Sequence, residues 1–350
     1  MPTDNAIPVR SDPRSQRSLR LASGTALCMA TSFGLDLPIP MVAPALGVFL
    51  FAMLNQPLSP KAGLGLSLMM MLTTGSGLLL IPMLRYYPFS AVLLISLCLF
   101  LAFRLGLRGG KNLVTTFLVV GLTMISAAGT ASFGLAVLVI GALVKGLLVA
   151  VLVLGFCHWV FPEPASAAPA PVAPRVPDDV ASWLALRATL VVMPAFLLAL
   201  TDPAGYMPII MKAVSLGRQS CTTTAKAAGR ELLGSTLLGG VLAILFWFAL
   251  GLFVHLWMFF LWTLLFSLLL ARKLYALSPT RYPPSFWLNT LVTLIILLGQ
   301  SVQDSIIGKD VYTAFAVRMG LFIAVTLYAC LVLQLLDQQR RVPRQSGAFE

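Results

Sequence analysis

The chain has 350 residues, of which 59% are apolar and only 10% charged, and its mean hydropathy is +0.93. An ordinary soluble domain carries roughly 25% charged residues, so a water-covered enzyme is excluded, as is a largely disordered chain, which needs low hydrophobicity. The apolar runs are long and continuous, which argues against a transmembrane barrel of short alternating strands and leaves an all-α polytopic membrane protein; the net charge of +12 then reads as Lys and Arg retained in cytoplasmic loops, with no nucleic acid implied.

A crossing needs roughly 20 apolar residues, with a range of about 17–25. Residues 1–18 form a polar tail with Arg10, Arg14 and Arg17, read as cytoplasmic and not as a cleaved signal. The first membrane unit, 19–161, holds six candidate spans: Leu19–Leu35, Ile39–Leu54, Leu64–Leu84, Phe89–Phe103, Leu113–Ala127 and Phe133–Val160. A Pro/Ala-rich linker at 162–180 cannot be helix interior. The second unit, 181–337, repeats the rhythm with Trp183–Leu200, Tyr206–Leu216, Leu232–Val254, Leu256–Ala271, Phe286–Leu298 and Val311–Leu336, before a cytoplasmic tail at 338–350. About twelve transmembrane helices are expected.

Charge orients them. With the N-terminus inside and every segment crossing, the inside stretches hold seventeen basic residues and the outside stretches hold only Arg85 and Lys309. Such a split is the positive-inside pattern of an inner-membrane protein with both termini cytoplasmic.

The two units read as repeats. Asp36 and Asp202 end the first span of each and lie 166 residues apart, as do Gly63 and Gly229, each of which opens a Leu/Gly-rich span. Six spans per unit give both the same orientation, related by an axis along the membrane normal. Gly75, Gly77, Gly129, Gly234, Gly239 and Gly240 read as close helix contacts.

Lys145 and Arg318 fall inside the last span of each unit, each followed within two residues by Gly. A charge at mid-helix costs about 2.5–3.5 kcal/mol on insertion scales, so the pair is expected to face the bundle axis and hold an anionic substrate; the competing reading is that each side chain snorkels to the headgroups. Lys212 is a third candidate cation, buried or near the cytoplasmic end of a short segment. Asp36 and Asp202 are either proton-exchanging carboxylates or caps for the helix that follows. Pro40, Pro44 and Pro208 are expected to break the second segment of each unit, leaving backbone groups that persist at membrane depth only inside protein or beside a wet cavity. Both second segments should therefore line the central path.

No P-loop, HExxH or GxSxG occurs, so no enzyme is expected. The five cysteines show no CxxC spacing and the two histidines lie far apart, so neither a metal nor a cofactor is expected.

The opening RLASGTALCMATSFGLDLPIPMVAPALGVFL, and the basic residue followed by Gly in the last span of each unit, resemble the fusaric-acid-resistance-type membrane proteins. Without a long soluble domain, the chain looks like a compact, membrane-only (DUF2955-like) branch of that superfamily, which includes aromatic-acid exporters and resembles plant aluminium-activated malate channels. The resemblance implies proton-driven export of small organic anions, commonly aromatic carboxylates, alongside a periplasmic membrane-fusion (adaptor) protein, with a homo-oligomer also open. An anion channel and a non-transporting membrane scaffold for an envelope partner are the alternatives.

Overall fold

The computed structural model describes residues 12–109, 112–162, 177–220 and 229–346. Among them there is no strand. The helices, numbered in chain order, are α1 (Pro13–Gly34), α2 (Val42–Met53), α3 (Pro60–Tyr86), α4 (Pro88–Leu107), α5 (Leu113–Ala131), α6 (Phe133–Val160), α7 (Asp178–Thr201), α8 (Pro203–Ser220), α9 (Arg230–Leu252), α10 (Leu256–Leu274), α11 (Pro284–Ile307) and α12 (Val311–Ser346). Starts follow local chemistry. Proline sits in the first turn of α1, α3, α4 and α11, where its missing N–H costs nothing. Ser59 and Ser132 cap α3 and α6 through their hydroxyls. At α12, the Thr313 hydroxyl and the Tyr312 amide donate to Asp310, which holds that carboxyl below its ordinary range.

Among the described residues, nine helices are long and apolar enough to cross a membrane: α3 to α7 and α9 to α12. The other three fall short for different reasons. α1 carries Arg14, Arg17 and Arg20. α2 has 12 residues, about 18 Å at 1.5 Å each, against a hydrocarbon core of about 30 Å. α8 carries Lys212 and Arg218. The linker residues 163–176, Arg175 included, lie outside the described residues.

The short helices are central. Val42, Ala43, Ala45, Val48, Leu50 and Phe51 of α2 are buried, as are Ile209, Ile210, Lys212, Ala213, Val214 and Leu216 of α8. α11 is buried along 289–298 without a break. By contrast α3, α4, α6, α9, α10 and α12 expose large apolar side chains such as Leu79, Phe89, Leu152, Phe248, Leu269 and Leu331. In water that surface would aggregate; in a bilayer it is the lipid-facing side.

Packing follows a paired scheme. α1 lies along α10, and α7 lies along α4; α2 packs on α1 and α6, and α8 packs on α7 and α12. Close approaches use glycine. A Cβ on Gly77 would stand 2.1 Å from the backbone oxygen of Gly121, so α3 and α5 touch through their main chains where α3 tightens to a 3₁₀ stretch and α5 widens to a π-helix. A Cβ on Gly239 would lie 2.9 Å from the Thr290 carbonyl oxygen, the same kind of contact between α9 and α11. Gly75 has nothing within 4 Å and makes no such contact.

Three contacts group the helix ends. Gln303 Nε2 donates to the Pro38 carbonyl (3.4 Å) at one end of the bundle. At the other end, the Tyr275 hydroxyl donates to the Phe51 carbonyl (3.5 Å), and Arg108 pairs with Asp178.

Candidate functional site

Lys212 is the only one of the three candidate cations that is fully enclosed, with 0% exposure. It stands at mid-length in α8. Its Nζ donates to Asn289 Oδ1 (3.0 Å) and to Thr293 Oγ1 (2.7 Å), both on α11, and lies 6.0 Å from the centroid of the Phe322 ring on α12. Asn289 Nδ2 donates onward to Ser235 Oγ on α9, and the Thr293 hydroxyl donates to the Asn289 carbonyl. Asn289 and Thr293 are one turn apart on α11, so both face α8. Among the described residues no carboxylate pairs with Lys212. The ammonium is held by neutral oxygens and a ring face in a low-dielectric setting, where a charge is costly unless another partner arrives.

A cavity of about 190 Å³ opens beside this network, between α2, α8 and α11. Asn289 forms part of its wall, so the residue that accepts from Lys212 also borders the cavity. Phe49, Met53, Leu288 and Val292 make it largely apolar, while Ser215, Arg218, Gln219 and Ser285 add polar atoms. The Arg218 guanidinium lies over the Phe49 ring, 5.7 Å from its centroid. These residues belong to the bundle end that also carries Tyr275–Phe51 and Arg108–Asp178.

The other expected site residues are elsewhere. Lys145 is exposed on the outer face of α6, beside Leu148 and Leu152, and does not enter the interior. Arg318 does point inward, but it makes a bidentate pair with Asp304 at the end of α11: Nη1 meets Oδ2, and Nη2 lies 3.0 Å from Oδ1. The two cations also differ in depth. Lys145 comes twelve residues after the start of α6 and Arg318 seven after the start of α12, a difference of about 7.5 Å at 1.5 Å per residue. A shared anion site between them is therefore corrected. Lys145 faces outward from the bundle, and Arg318 already has its carboxylate.

Asp36 and Asp202 are exposed at the ends of α1 and α7. Asp202 is a cap, its Oδ1 accepting from the Gly205 amide at 3.2 Å. Asp36 sits in a turn at φ 49° and makes no such cap. The prolines do not break their helices. Pro40 lies in the turn before α2, and Pro44 is the third residue of α2, where amides have no helical partner anyway. Pro208 lies inside α8, which runs on through it. Both helices contribute to the cavity wall, α2 through Phe49 and Met53 and α8 through Ser215, Arg218 and Gln219.

Sequence reasoning missed Asp304, Asn289, Thr293 and Arg218. Asp304 had a signal, being an acid just before the short Gly308 turn that folds α11 back towards Arg318. Asn289 and Thr293 had another, as polar residues at i and i+4 in an apolar run.

Residues 17–157 are similar to a family described as a protein family of unknown function, DUF2955. The matched stretch runs from α1 through most of α6. No curated protein and no solved structure matches the chain.

Proposed function

We propose that this protein moves small organic anions out of the cytoplasm across a bacterial inner membrane, and that it is no enzyme. The observation that carries the proposal is the α2–α8–α11 cavity, with Arg218 in its wall and Lys212 behind the shared Asn289. A cavity with apolar sides and a cation suits a ring or short chain bearing one carboxylate, which is the chemistry of the aromatic-acid exporters of the fusaric-acid-resistance type. Arg218 meets the carboxylate first. Lys212 lowers the energy of an anion deeper in the path, because opposite charges in low dielectric stabilise each other.

In this reading the chain makes twelve crossings in two parallel halves. Support comes from the paired packing, α1 on α10 matching α7 on α4, and from the same-side grouping of helix ends. The halves are not equivalent at the site: the residue 166 positions before Lys212 is Leu46, so the central cation belongs to the second half alone. Both termini are cytoplasmic, and a periplasmic adaptor takes the exported anion onward. Two driving forces are separable. The membrane potential acts on the anion directly, at about 2.3 kcal/mol per charge per 100 mV, whereas a proton gradient acts only through an interior group that exchanges protons.

The test is benzoate transport by inside-out membrane vesicles under an imposed potential or an imposed pH gradient. Wild-type vesicles should accumulate benzoate. Lys212→Met and Arg218→Gln should lose accumulation, and Val292→Trp, which fills the cavity, should block it. Unchanged rates in all three variants would sink the proposal.

A further inference from the structure

We propose that the cleft between α9 and α10 is a binding site for an anionic phospholipid. The geometry begins at the tight Phe253–His255 connection, which joins the two helices at one end. From there they diverge. α9 packs on α11 far more extensively than on α10, and a cleft of about 350 Å³ opens towards the other end. Its walls divide by chemistry along its length. Leu238 and Leu242 of α9 face Phe266, Leu269 and Leu270 of α10 across the apolar part, while Arg272, Lys273 and Ser278 close the end, with Trp287 of α11 beside them.

That order matches a phospholipid lying along the helices, acyl chain in the apolar part and phosphate at the basic end. Leu269 is 54% exposed, so the cleft opens on the lipid-facing surface. The basic end is the end of the bundle that holds Tyr275, where α10 terminates. Arg272 is exposed in the last turn and makes no side-chain hydrogen bond or ion pair with the described residues. Lys273 is already bent back, its Nζ donating to the Pro279 carbonyl at 2.8 Å. The Trp287 indole is held by Thr280 Oγ1 at 3.0 Å, which fixes a flat amphipathic ring at headgroup level. A phosphate on Arg272 would accept two parallel hydrogen bonds from the guanidinium, a geometry to which that group is suited. The remaining N–H groups of Lys273 would face the same anion. The site is independent of the transport cavity, which lies on the opposite side of α11 between α2 and α8.

The test uses the full chain in micelles containing equal amounts of phosphatidylglycerol and phosphatidylcholine, with retained lipid read by native mass spectrometry. Wild type should hold phosphatidylglycerol about thirtyfold in excess of phosphatidylcholine, given roughly 1 kcal/mol for each of the two basic residues at an anionic headgroup and about 1.4 kcal/mol per tenfold. The Arg272→Gln/Lys273→Gln variant should bring that excess close to one. Leu242→Trp should lose the lipid with both cations intact. Lys61→Gln/Arg281→Gln removes the same charge from exposed positions and should retain it. The proposal is overturned if this control falls as far as the Arg272/Lys273 variant, or if Leu242→Trp keeps its lipid, since either result means diffuse attraction with no cleft. Equal retention of the two lipids overturns it as well. So does displacement of phosphatidylglycerol by millimolar inorganic phosphate, which would make this a free-phosphate site.

Discussion

Arg318 and Asp304 offer the sharpest check on how charge is accommodated in this membrane bundle. Their side chains are 16% and 6% exposed, and the pair is bidentate. Arg318→Gln leaves a carboxylate buried without its cation, a defect that typically costs about 3–5 kcal/mol. Asp304→Asn should cost less, about 2 kcal/mol, because Arg318 lies about 10 Å below the helix start and can extend its long side chain towards the headgroups. Replacing both partners removes the charges together, and the double variant should return to within about 1 kcal/mol of wild type. The cycle should therefore show a coupling of about 5 kcal/mol. Equilibrium unfolding in mixed micelles, followed by loss of helical circular dichroism, measures all four proteins, and benzoate transport is measured beside it. Simple additivity would refute the pairing. An Arg318→Gln protein with wild-type stability and no transport would refute it too, since the arginine would then be serving a substrate.

Further outcomes follow from the same physics. Lys212→Met exchanges a buried ammonium for an apolar chain of similar length, so its unfolding midpoint should not fall although transport is lost; a large drop in midpoint would mean that the network is a structural clasp. Gly77→Ala should prevent accumulation of folded protein, because its Cβ would meet the rigid Gly121 backbone at 2.1 Å, whereas Gly65→Ala, with nothing within 4 Å, should be neutral in the same expression assay. Lys145→Leu should leave transport unchanged and raise stability by up to about 3 kcal/mol in the purified protein, since it removes an exposed cation from mid-helix. In a cysteine-free chain, a cysteine at Lys309 should react with an impermeant maleimide added to whole cells, and one at Arg281 only after permeabilisation; the reverse pattern would invert the topology.

Much of the architecture was legible because a bilayer leaves few choices. Backbone groups in lipid must be satisfied within helices, so long apolar runs can only be spans. Phe133–Val160 was read with the bounds the structure gives it, and most other spans differ by a few residues at their polar ends. The small residues at Gly77 and Gly239 marked true main-chain contacts, since only a missing Cβ lets helices approach so closely.

What a sequence cannot express is which face of a helix meets a neighbour and which neighbour that is. Lys145 and Arg318 each lie inside the last long helix of their unit, yet one faces outward and the other meets Asp304, because hairpin geometry across Gly308 sets that meeting. For Lys212 the sequence leaves two places open, buried or near the cytoplasmic end of a short segment. Tertiary packing placed that segment at the centre, where Asn289 and Thr293 receive its ammonium beside a cavity. Composition and the long apolar runs decided the solvent and the all-helical class, because the bilayer acts on every residue alike. The site was decided by three helices distant in sequence converging on one another, a relation that no local pattern encodes.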